Sequence, residues 1–224
     1  MTRSASLAVD LSIRVDGAQP LSPELVLALN ALCDQAEDAD ARGPVVLEIS
    51  GAPATVRDLP LPLVNKWERA LRRLERLDMP VVAVMTGDCG GVALEALLAT
   101  DYRIAEPTAR LLPSVEAEAV WPGMALYRLV NQIGVAATRR TVLFGTPVPA
   151  DQALAMHLLD QVTDDPADAL FDVVETVMSS AHASPAIRRQ LMLDATTTSF
   201  EEALGRHLAA CDRVLRNTTE EASS

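Results

Sequence analysis

The sequence predicts an α/β fold in which parallel strands alternate with helices. Between residues 7 and 105, short apolar segments with strand patterns alternate with longer amphipathic segments of helical period. This alternation is typical of parallel β-α-β units. Pro80 to Met85 is apolar without alternation, as expected for a central strand covered on both faces. From Asp168 onward the periodic segments are all helical, so the chain is expected to end in a helical layer.

The individual elements have distinct local signals. In residues 7–15 apolar and polar side chains alternate, which predicts a half-buried strand. Ser22-Pro23-Glu24 combines a capping side chain, an N1 proline and a first-turn acid, so a helix is expected to begin there. Apolar residues at helical spacing from Leu63 to Leu77 predict a second helix. The other predicted elements are strands or extended segments at 45–49, 102–105 and 158–162, and helices at 123–133, 150–153, 168–180, 185–192 and 200–215.

Composition argues against several classes of protein. The chain has 224 residues and 49% hydrophobic content, enough for a packed core, and a formal net charge of −12 that disfavours nucleic acid and anionic membranes as partners. Cys33, Cys89 and Cys211 are too widely spaced to predict a zinc site or a disulfide framework, so we expect no metal and a cytoplasmic location. The first residues lack the apolar core of a signal peptide, and no apolar run reaches the length of a membrane span.

The segment from Thr86 to Glu95, TGDCGGVALE, carries the main functional signal. It follows the apolar strand and predicts a glycine-rich turn that leads into a helix. Backbone N–H groups at such a turn attract negative charge, and Gly90 and Gly91 would let the backbone approach a ligand closely. A carboxylate four or five residues further on could move the matching proton. On pattern alone the alternative stays open that the glycines only permit close packing and that Glu95 is a solvated helix residue.

Three consecutive motifs resemble the signature of the enoyl-CoA hydratase/isomerase (crotonase) superfamily. MPVVA at residues 79–83, TGDCGGVALEAL at 86–97 and TDYRIA at 100–105 correspond to its proline-containing strand, its glycine-rich run ending in a glutamate, and its D-x-R-I-A stretch. Similarity extends over about residues 45–162 and includes the Pro122-Gly123 pair. The resemblance implies a crotonase-like ββα spiral core at residues 1–180 and a helical oligomerisation layer at 181–224, with Leu204, Leu208, Cys211 and Leu215 on one stripe.

Site residues follow from the same resemblance. Glu95 falls on one of the two family glutamates that move protons, and Val92 falls on the glycine whose N–H forms half of an oxyanion hole. The other half follows the second strand, where a shortened loop puts it at the N–H of Arg57. The second family glutamate aligns with Val115, which leaves the neighbouring Glu116 as the candidate second acid. Further expectations are substrate contacts from Gly90, Gly91 and Trp121, CoA-phosphate contacts from Arg57 or Arg73, packing for Trp67 and capping for Asp88.

The implied function is chemistry on an acyl-CoA thioester, with no tightly bound cofactor and a homo-trimeric or hexameric assembly. The short chain and the altered oxyanion loop are most similar to the small crotonase-like proteins of 3,5-dihydroxyphenylglycine biosynthesis, which assist a polyketide synthase. For these, the resemblance implies dehydration or enolisation that aromatises a polyketide-derived CoA intermediate. Two alternatives stay open: a non-catalytic crotonase-fold partner of a polyketide synthase or of another crotonase, and a plain enoyl-CoA hydratase.

Overall fold

The computed structural model describes residues 11–38, 43–54, 59–113, 123–179 and 185–221, with side chains described as far as residue 212. In chain order, the described strands and helices are β1 (Ser12–Asp16), α1 (Pro23–Ala36), β2 (Val45–Gly51), α2 (Leu61–Leu74), β3 (Val81–Gly90), α3 (Val92–Leu98), β4 (Tyr102–Ala105), β5 (Arg110–Leu112), α4 (Ala125–Phe144), β6 (Val148–Pro149), α5 (Ala150–Ala155), β7 (Gln161–Val162), α6 (Pro166–Ser179), α7 (Pro185–Asp194) and α8 (Phe200–Glu221).

Seven strands of the described residues form one sheet, whose main path runs β1-β2-β3-β4-β7. Every pairing on this path is parallel. β5 pairs in parallel with the last residues of β3, and β6 pairs with β5 in antiparallel orientation. The predicted α/β fold with a parallel sheet is therefore confirmed.

The central strand β3 is covered on both faces, as its unbroken apolar sequence predicts. Val81, Ala83 and Met85 belong to the main core, which α1, α2 and α3 also enter. On the opposite face, Val82 packs in a second cluster with Ala169 of α6. Burial of consecutive residues on both faces accounts for the absence of alternation in this strand.

Local capping signals predict several elements well. The Ser22 hydroxyl accepts a hydrogen bond of 3.2 Å from the backbone N–H of Leu25, and α1 begins at Pro23 as expected.

Among the strands, β4 has the predicted bounds. Of the strand predicted at 7–15, the structure describes β1 from Ser12 onward, and residues up to 10 lie outside the described residues. The strands β5 and β6 are absent from the sequence-based prediction.

Gly134 divides α4 into two helical segments. Its φ of 78° and ψ of 164° are not helical, so the first segment ends where the sequence predicts a stop, and a second segment continues to Phe144. The Thr138 hydroxyl donates a hydrogen bond of 2.8 Å to the Gly134 carbonyl oxygen in the resumed turn. The predicted end at Gly134 is therefore confirmed, and the second segment, up to Phe144, is absent from the sequence-based prediction.

The chain divides into two compact units, Met1–His182 and Ala183–Ser224. The predicted boundary between residues 180 and 181 stays a prediction, since residues 180–184 lie outside the described part. Within the second unit, Leu204 and Leu208 of the predicted α8 stripe are exposed, as is Cys211. Among the described residues, no helix has both the length and the hydropathy that crossing a bilayer requires.

Candidate active site at the start of α3

The junction between β3 and α3 differs from the predicted glycine-rich turn. β3 extends through Gly90 and α3 begins two residues later, so only Gly91 separates them. Its φ of 54° and ψ of −131° suit a residue without a Cβ. The residues from Asp88 to Gly90 are extended because they pair with Arg110–Leu112 of β5. The predicted glycine-rich turn is therefore limited to Gly91, with a further irregularity within β3 at Gly87, whose φ is 64°.

The ends of β1, β2 and β3 meet tightly next to α3, and each has a glycine as its last residue or directly after it. A Cβ on Gly17 would collide with the carbonyl oxygens of Gly51 and Gly90, so the ends of β1, β2 and β3 approach without side chains between them. A Cβ on Gly90 would come within 2.9 Å of the Ala52 Cβ and 3.1 Å of the Leu112 carbonyl oxygen. Gly90 thus permits close packing between the segment after β2 and the end of β5.

Glu95 is completely buried in the first turn of α3. The indole Nε1–H of Trp67 donates a hydrogen bond of 2.9 Å to its Oε2 oxygen. Trp67 is itself fully buried on α2. The alternative that Glu95 is a solvated helix residue is therefore wrong. Burying a carboxyl group is unfavourable unless it is hydrogen-bonded, and the Trp67 N–H provides such a bond.

The sequence did not predict that Trp67 is the hydrogen-bond partner of Glu95. The helical spacing of Trp67 with apolar residues indicates core packing, and that part is confirmed by its burial. A buried indole N–H usually has an acceptor, which is the signal that sequence reasoning could have used. The acceptor lies 28 residues away on another helix, so spacing alone could not identify it.

The helix that carries Trp67 is tied to α4 by a buried ion-pair cluster. Arg128 contacts Glu68 and Glu75 at 2.8 Å each, and its side chain is 8% exposed. Glu68 also accepts a hydrogen bond of 2.8 Å from the backbone N–H of Met124. Burial lowers the pKa of Arg128, but the two carboxylates outweigh it and leave that pKa raised overall. The guanidinium therefore stays charged and holds the two helices in register.

Arg73 ties α2 to α1 on its other side. Its guanidinium pairs with Asp34 and with Glu37, and it donates to the Asn30 carbonyl oxygen at 3.4 Å. Hydrogen bonds to the two acids raise the pKa of Arg73, and the partner Glu37 has a lowered pKa. These contacts engage Arg73 with α1, so it is a weak candidate for contacts to CoA phosphates.

The C-terminal end of α3 is held by Arg103 of β4. Its guanidinium donates to the carbonyl oxygens of Leu98 and Thr100 at 3.1 Å and to that of Leu158 at 3.2 Å. The side chain of Gln132 on α4 adds a hydrogen bond of 2.8 Å to the Leu98 carbonyl. Burial lowers the pKa of Arg103 to about 10, which still leaves it protonated at neutral pH. This group fixes the helix that carries Glu95.

The structure brings only part of the predicted site together. Val92 is buried at the first position of α3, one helical turn before Glu95. Arg57, Glu116 and Trp121 lie outside the described residues.

Asp88 and Cys89, next to the glycines, take structural roles. The Asp88 carboxylate forms two hydrogen bonds of 2.8 Å with Arg110, which lower its pKa. This pair links β3 to β5, in place of the capping role expected for Asp88. Cys89 is fully buried, and burial raises the pKa of its thiol well above the usual range. A buried neutral thiol is a poor nucleophile. Among the described residues, no cluster of His, Cys, Asp and Glu could hold a metal ion.

Comparison with known proteins identifies the family. The model of the enoyl-CoA hydratase/isomerase family matches residues 62–224. The chain belongs to the enoyl-CoA hydratase/isomerase family. A curated relative from Amycolatopsis orientalis, named enoyl-CoA-hydratase, is 49% identical over 209 residues, which are 92% of this chain and 96% of the relative. The match to the family model begins at residue 62, the second residue of α2.

Solved structures of this family have the same fold. An enoyl-CoA hydratase from Mycobacterium smegmatis superposes with a TM-score of 0.77 at 21% identity, over 90% of this chain and 86% of that chain. A putative enoyl-CoA hydratase from Streptomyces coelicolor A3(2) has a TM-score of 0.75 at 21% identity, over 96% and 86% of the two chains. These likenesses identify the enoyl-CoA hydratase/isomerase fold, with its parallel sheet and covering helices.

Proposed function

We propose that this protein is a dehydratase or isomerase that forms and uses the enolate of an acyl-CoA thioester. Glu95 moves the proton, and the backbone N–H groups of Val92 and Arg57 hold the enolate oxygen. The substrate is a polyketide-derived CoA intermediate of the 3,5-dihydroxyphenylglycine type, which the reaction aromatises. Membership of a family that acts on CoA thioesters, with no tightly bound cofactor, supports the substrate class.

The observation that carries this proposal is the complete burial of Glu95 one helical turn after Val92. Residues three apart on a helix lie on neighbouring positions of one face. The N–H of Val92 is in the first turn of α3, where backbone N–H groups have no acceptor within the helix. Glycine as the N-cap residue supplies no capping side chain. An N–H donor and an acid are therefore close together in a place shielded from water.

The reaction needs one acid that acts twice. Glu95 takes the α-proton of a β-hydroxyacyl thioester, and the C–H electron pair moves into the enolate, whose oxygen accepts hydrogen bonds from the two N–H groups. As the enolate collapses, the thioester carbonyl re-forms and the bond from Cβ to the hydroxyl oxygen breaks. The proton on Glu95 passes to that oxygen, so water and an enoyl thioester are formed and Glu95 is ionised again. In a cyclised polyketide chain, the same elimination followed by enolisation of the ring ketones gives an aromatic ring.

The second half of the proposed site is supported by its anchor points. Ala52 and Leu112 both lie against Gly90, two residues before Val92. Glu116 is four residues beyond Leu112 in the sequence, and Arg57 is five beyond Ala52. We propose Arg57 as the second oxyanion donor and Glu116 as an accessory acid, with Trp121 at the acyl pocket.

Exchange of the α-proton tests this function without requiring the natural substrate. Phenylacetyl-CoA has acidic α-hydrogens and cannot lose water, so in D₂O enolate formation appears as deuterium gained at the α-carbon. The wild-type protein is expected to catalyse this exchange at substoichiometric concentration, and Glu95→Gln should reduce the rate about 100-fold or more while keeping the fold.

Glu48→Gln is the matched control, because Glu48 is exposed on β2 and undergoes the same chemical change. Mass spectrometry of the recovered thioester measures the rate for each protein. Full activity of Glu95→Gln, or no exchange by the wild type above buffer, would overturn the proposal.

A non-catalytic partner of another enzyme is the second candidate. It is favoured by the family match, which begins only at residue 62 and leaves out the loop after β2. Such a partner would stimulate a polyketide synthase only at about equimolar ratio, whereas a catalyst acts at a small fraction of that amount. A plain enoyl-CoA hydratase would hydrate crotonyl-CoA, which is followed by loss of the enoyl absorbance. We expect this hydration to be slow beside the exchange reaction.

A further inference from the structure

We infer that Trp67 is a positioning residue that holds the Glu95 carboxyl group for proton transfer. The inference rests on the proposed function of Glu95, and it concerns a residue that the family motif does not include. The contact that carries it is the hydrogen bond of 2.9 Å from the indole Nε1–H to Oε2, between two side chains with no exposed surface.

The indole is a rigid donor at a fixed place. Trp67 lies in the buried row of α2 with Val64, Ala70, Leu71 and Leu74. Packing on all sides restricts its two side-chain torsions, so the direction of the N–H bond is set by the position of the helix. A donor of this kind constrains its acceptor more strongly than a flexible lysine or a water molecule does.

Both helices that share this hydrogen bond are tied to their neighbours. In addition to the Trp67 hydrogen bond, ion pairs join α2 to α4 through Arg128 and to α1 through Arg73. The opposite end of α3 is held by Arg103 and Gln132. The distance between the indole and the Glu95 backbone is therefore set by contacts outside the site, and the hydrogen bond transmits that fixed geometry to the carboxyl group.

Such positioning has a kinetic consequence. A glutamate has three rotatable torsions, and proton transfer requires its oxygen to lie about 2.6–3.2 Å from the reacting atom. The indole holds Oε2, so the position of that oxygen is restrained before the substrate arrives. A displacement of about 1 Å at such a group costs about 100-fold in rate. Loss of the indole N–H should thus lower kcat more than it weakens binding.

The test compares Trp67→Phe with Leu71→Ala in the phenylacetyl-CoA exchange assay. Both residues are fully buried on α2, so both variants lose core packing, but only the Trp67 side chain has an N–H that can donate to Glu95. Trp67→Phe is expected to lower kcat about 100-fold with KM changed by about twofold at most, which is the pattern of a lost transition-state interaction. Leu71→Ala should lose stability and keep the wild-type kcat once folded.

Two tryptophan analogues of similar shape separate the effect of the hydrogen bond from the effect of the ring. Benzothienylalanine at position 67 replaces the N–H with sulfur and keeps the bicyclic shape, whereas 5-fluorotryptophan keeps the N–H. The first analogue should reproduce the kcat loss of Trp67→Phe, and the second should retain the wild-type kcat. Wild-type kcat in the benzothienylalanine protein would overturn the inference. Full activity of Glu95→Gln would instead overturn the proposed function, so the two failures are distinguishable.

Discussion

The two ends of the short helix α3 are built differently, and the difference separates structure from chemistry. At the C-terminal end, the carbonyl oxygens of Leu98 and Thr100 accept hydrogen bonds from the buried Arg103 guanidinium. The N-terminal end starts from Gly91, which has no capping side chain, and carries Val92 and a buried acid within its first turn.

This contrast shows why one end has a structural role and the other suits a ligand. Terminal carbonyl groups of a helix need donors, and the protein provides them at the C-terminal end. Terminal N–H groups need acceptors, and a thioester oxygen that becomes an enolate is the strongest acceptor in the proposed reaction. A fixed C-terminal end then holds the N–H groups of the other end in place. Each prediction below alters one end of α3, or the junction before it, and measures the change in stability or in rate.

The largest expected effect is on stability, at the C-terminal end. Arg103→Met should lower the free energy of unfolding by about 4 kcal/mol, because the carbonyls of Thr100 and Leu158 lose a buried donor. Urea denaturation followed by circular dichroism measures this. Arg110→Met, at an exposed arginine of the same sheet, is the control and should have a far smaller effect. Equal losses in the two variants would mean that Arg103 does not hold α3.

At the N-terminal end the expected effect is on rate. Proline is tolerated at the first position of a helix and lacks an N–H, so Val92→Pro removes the proposed donor and leaves the helix start compatible. The exchange of phenylacetyl-CoA should slow about 100-fold, the usual cost of one oxyanion donor. Val92→Ala keeps the N–H and should keep the rate, with a stability loss of about 1–2 kcal/mol from lost packing. Equal rates for the two variants would remove Val92 from the oxyanion site.

The smallest expected effect concerns the Asp88–Arg110 pair beside the same junction. Arg110 holds the pKa of Asp88 below its ordinary value, so the ionised acid stabilises the folded state above the unfolded pKa of about 3.9. That contribution is lost as the pH falls through the lower, folded pKa. Asp88→Asn should therefore be slightly less stable than the wild type at pH 7 and equal to it in strong acid. Thermal unfolding between pH 7 and pH 2.5 tests this, and a gap that widens in acid would contradict it.

Much of the fold is predictable because its signals are local. The Ser22 cap, the unbroken apolar run of β3 and the alternation of β1 each lie within one element. The extension of β3 past Thr86 is not predictable in this way, because it depends on pairing with β5, which has only three residues. A glycine-rich segment has the same composition whether it forms a turn or the end of a paired strand, so composition alone cannot distinguish the two.

The candidate site is predictable only for the residues on α3. Glu95 and Val92 belong to a continuous motif, so sequence identifies both. The role of Trp67 depends on the packing of two helices that are remote in sequence, and its helical spacing is the same for a core residue as for a hydrogen-bond donor. Arg57 and Glu116 stay predictions, since both lie outside the described residues.

The most direct test of the central claim is to observe where a thioester binds. In protein labelled with ¹⁵N-valine and ¹⁵N-tryptophan, the Val92 amide and the Trp67 indole N–H should both shift when phenylacetyl-CoA is added. The amide of Val135, exposed on α4, is the internal control and should stay unchanged. Shifts of Val92 and Trp67, with Val135 unchanged, would support an oxyanion site at the start of α3. Saturable binding with both of these signals unmoved would contradict it.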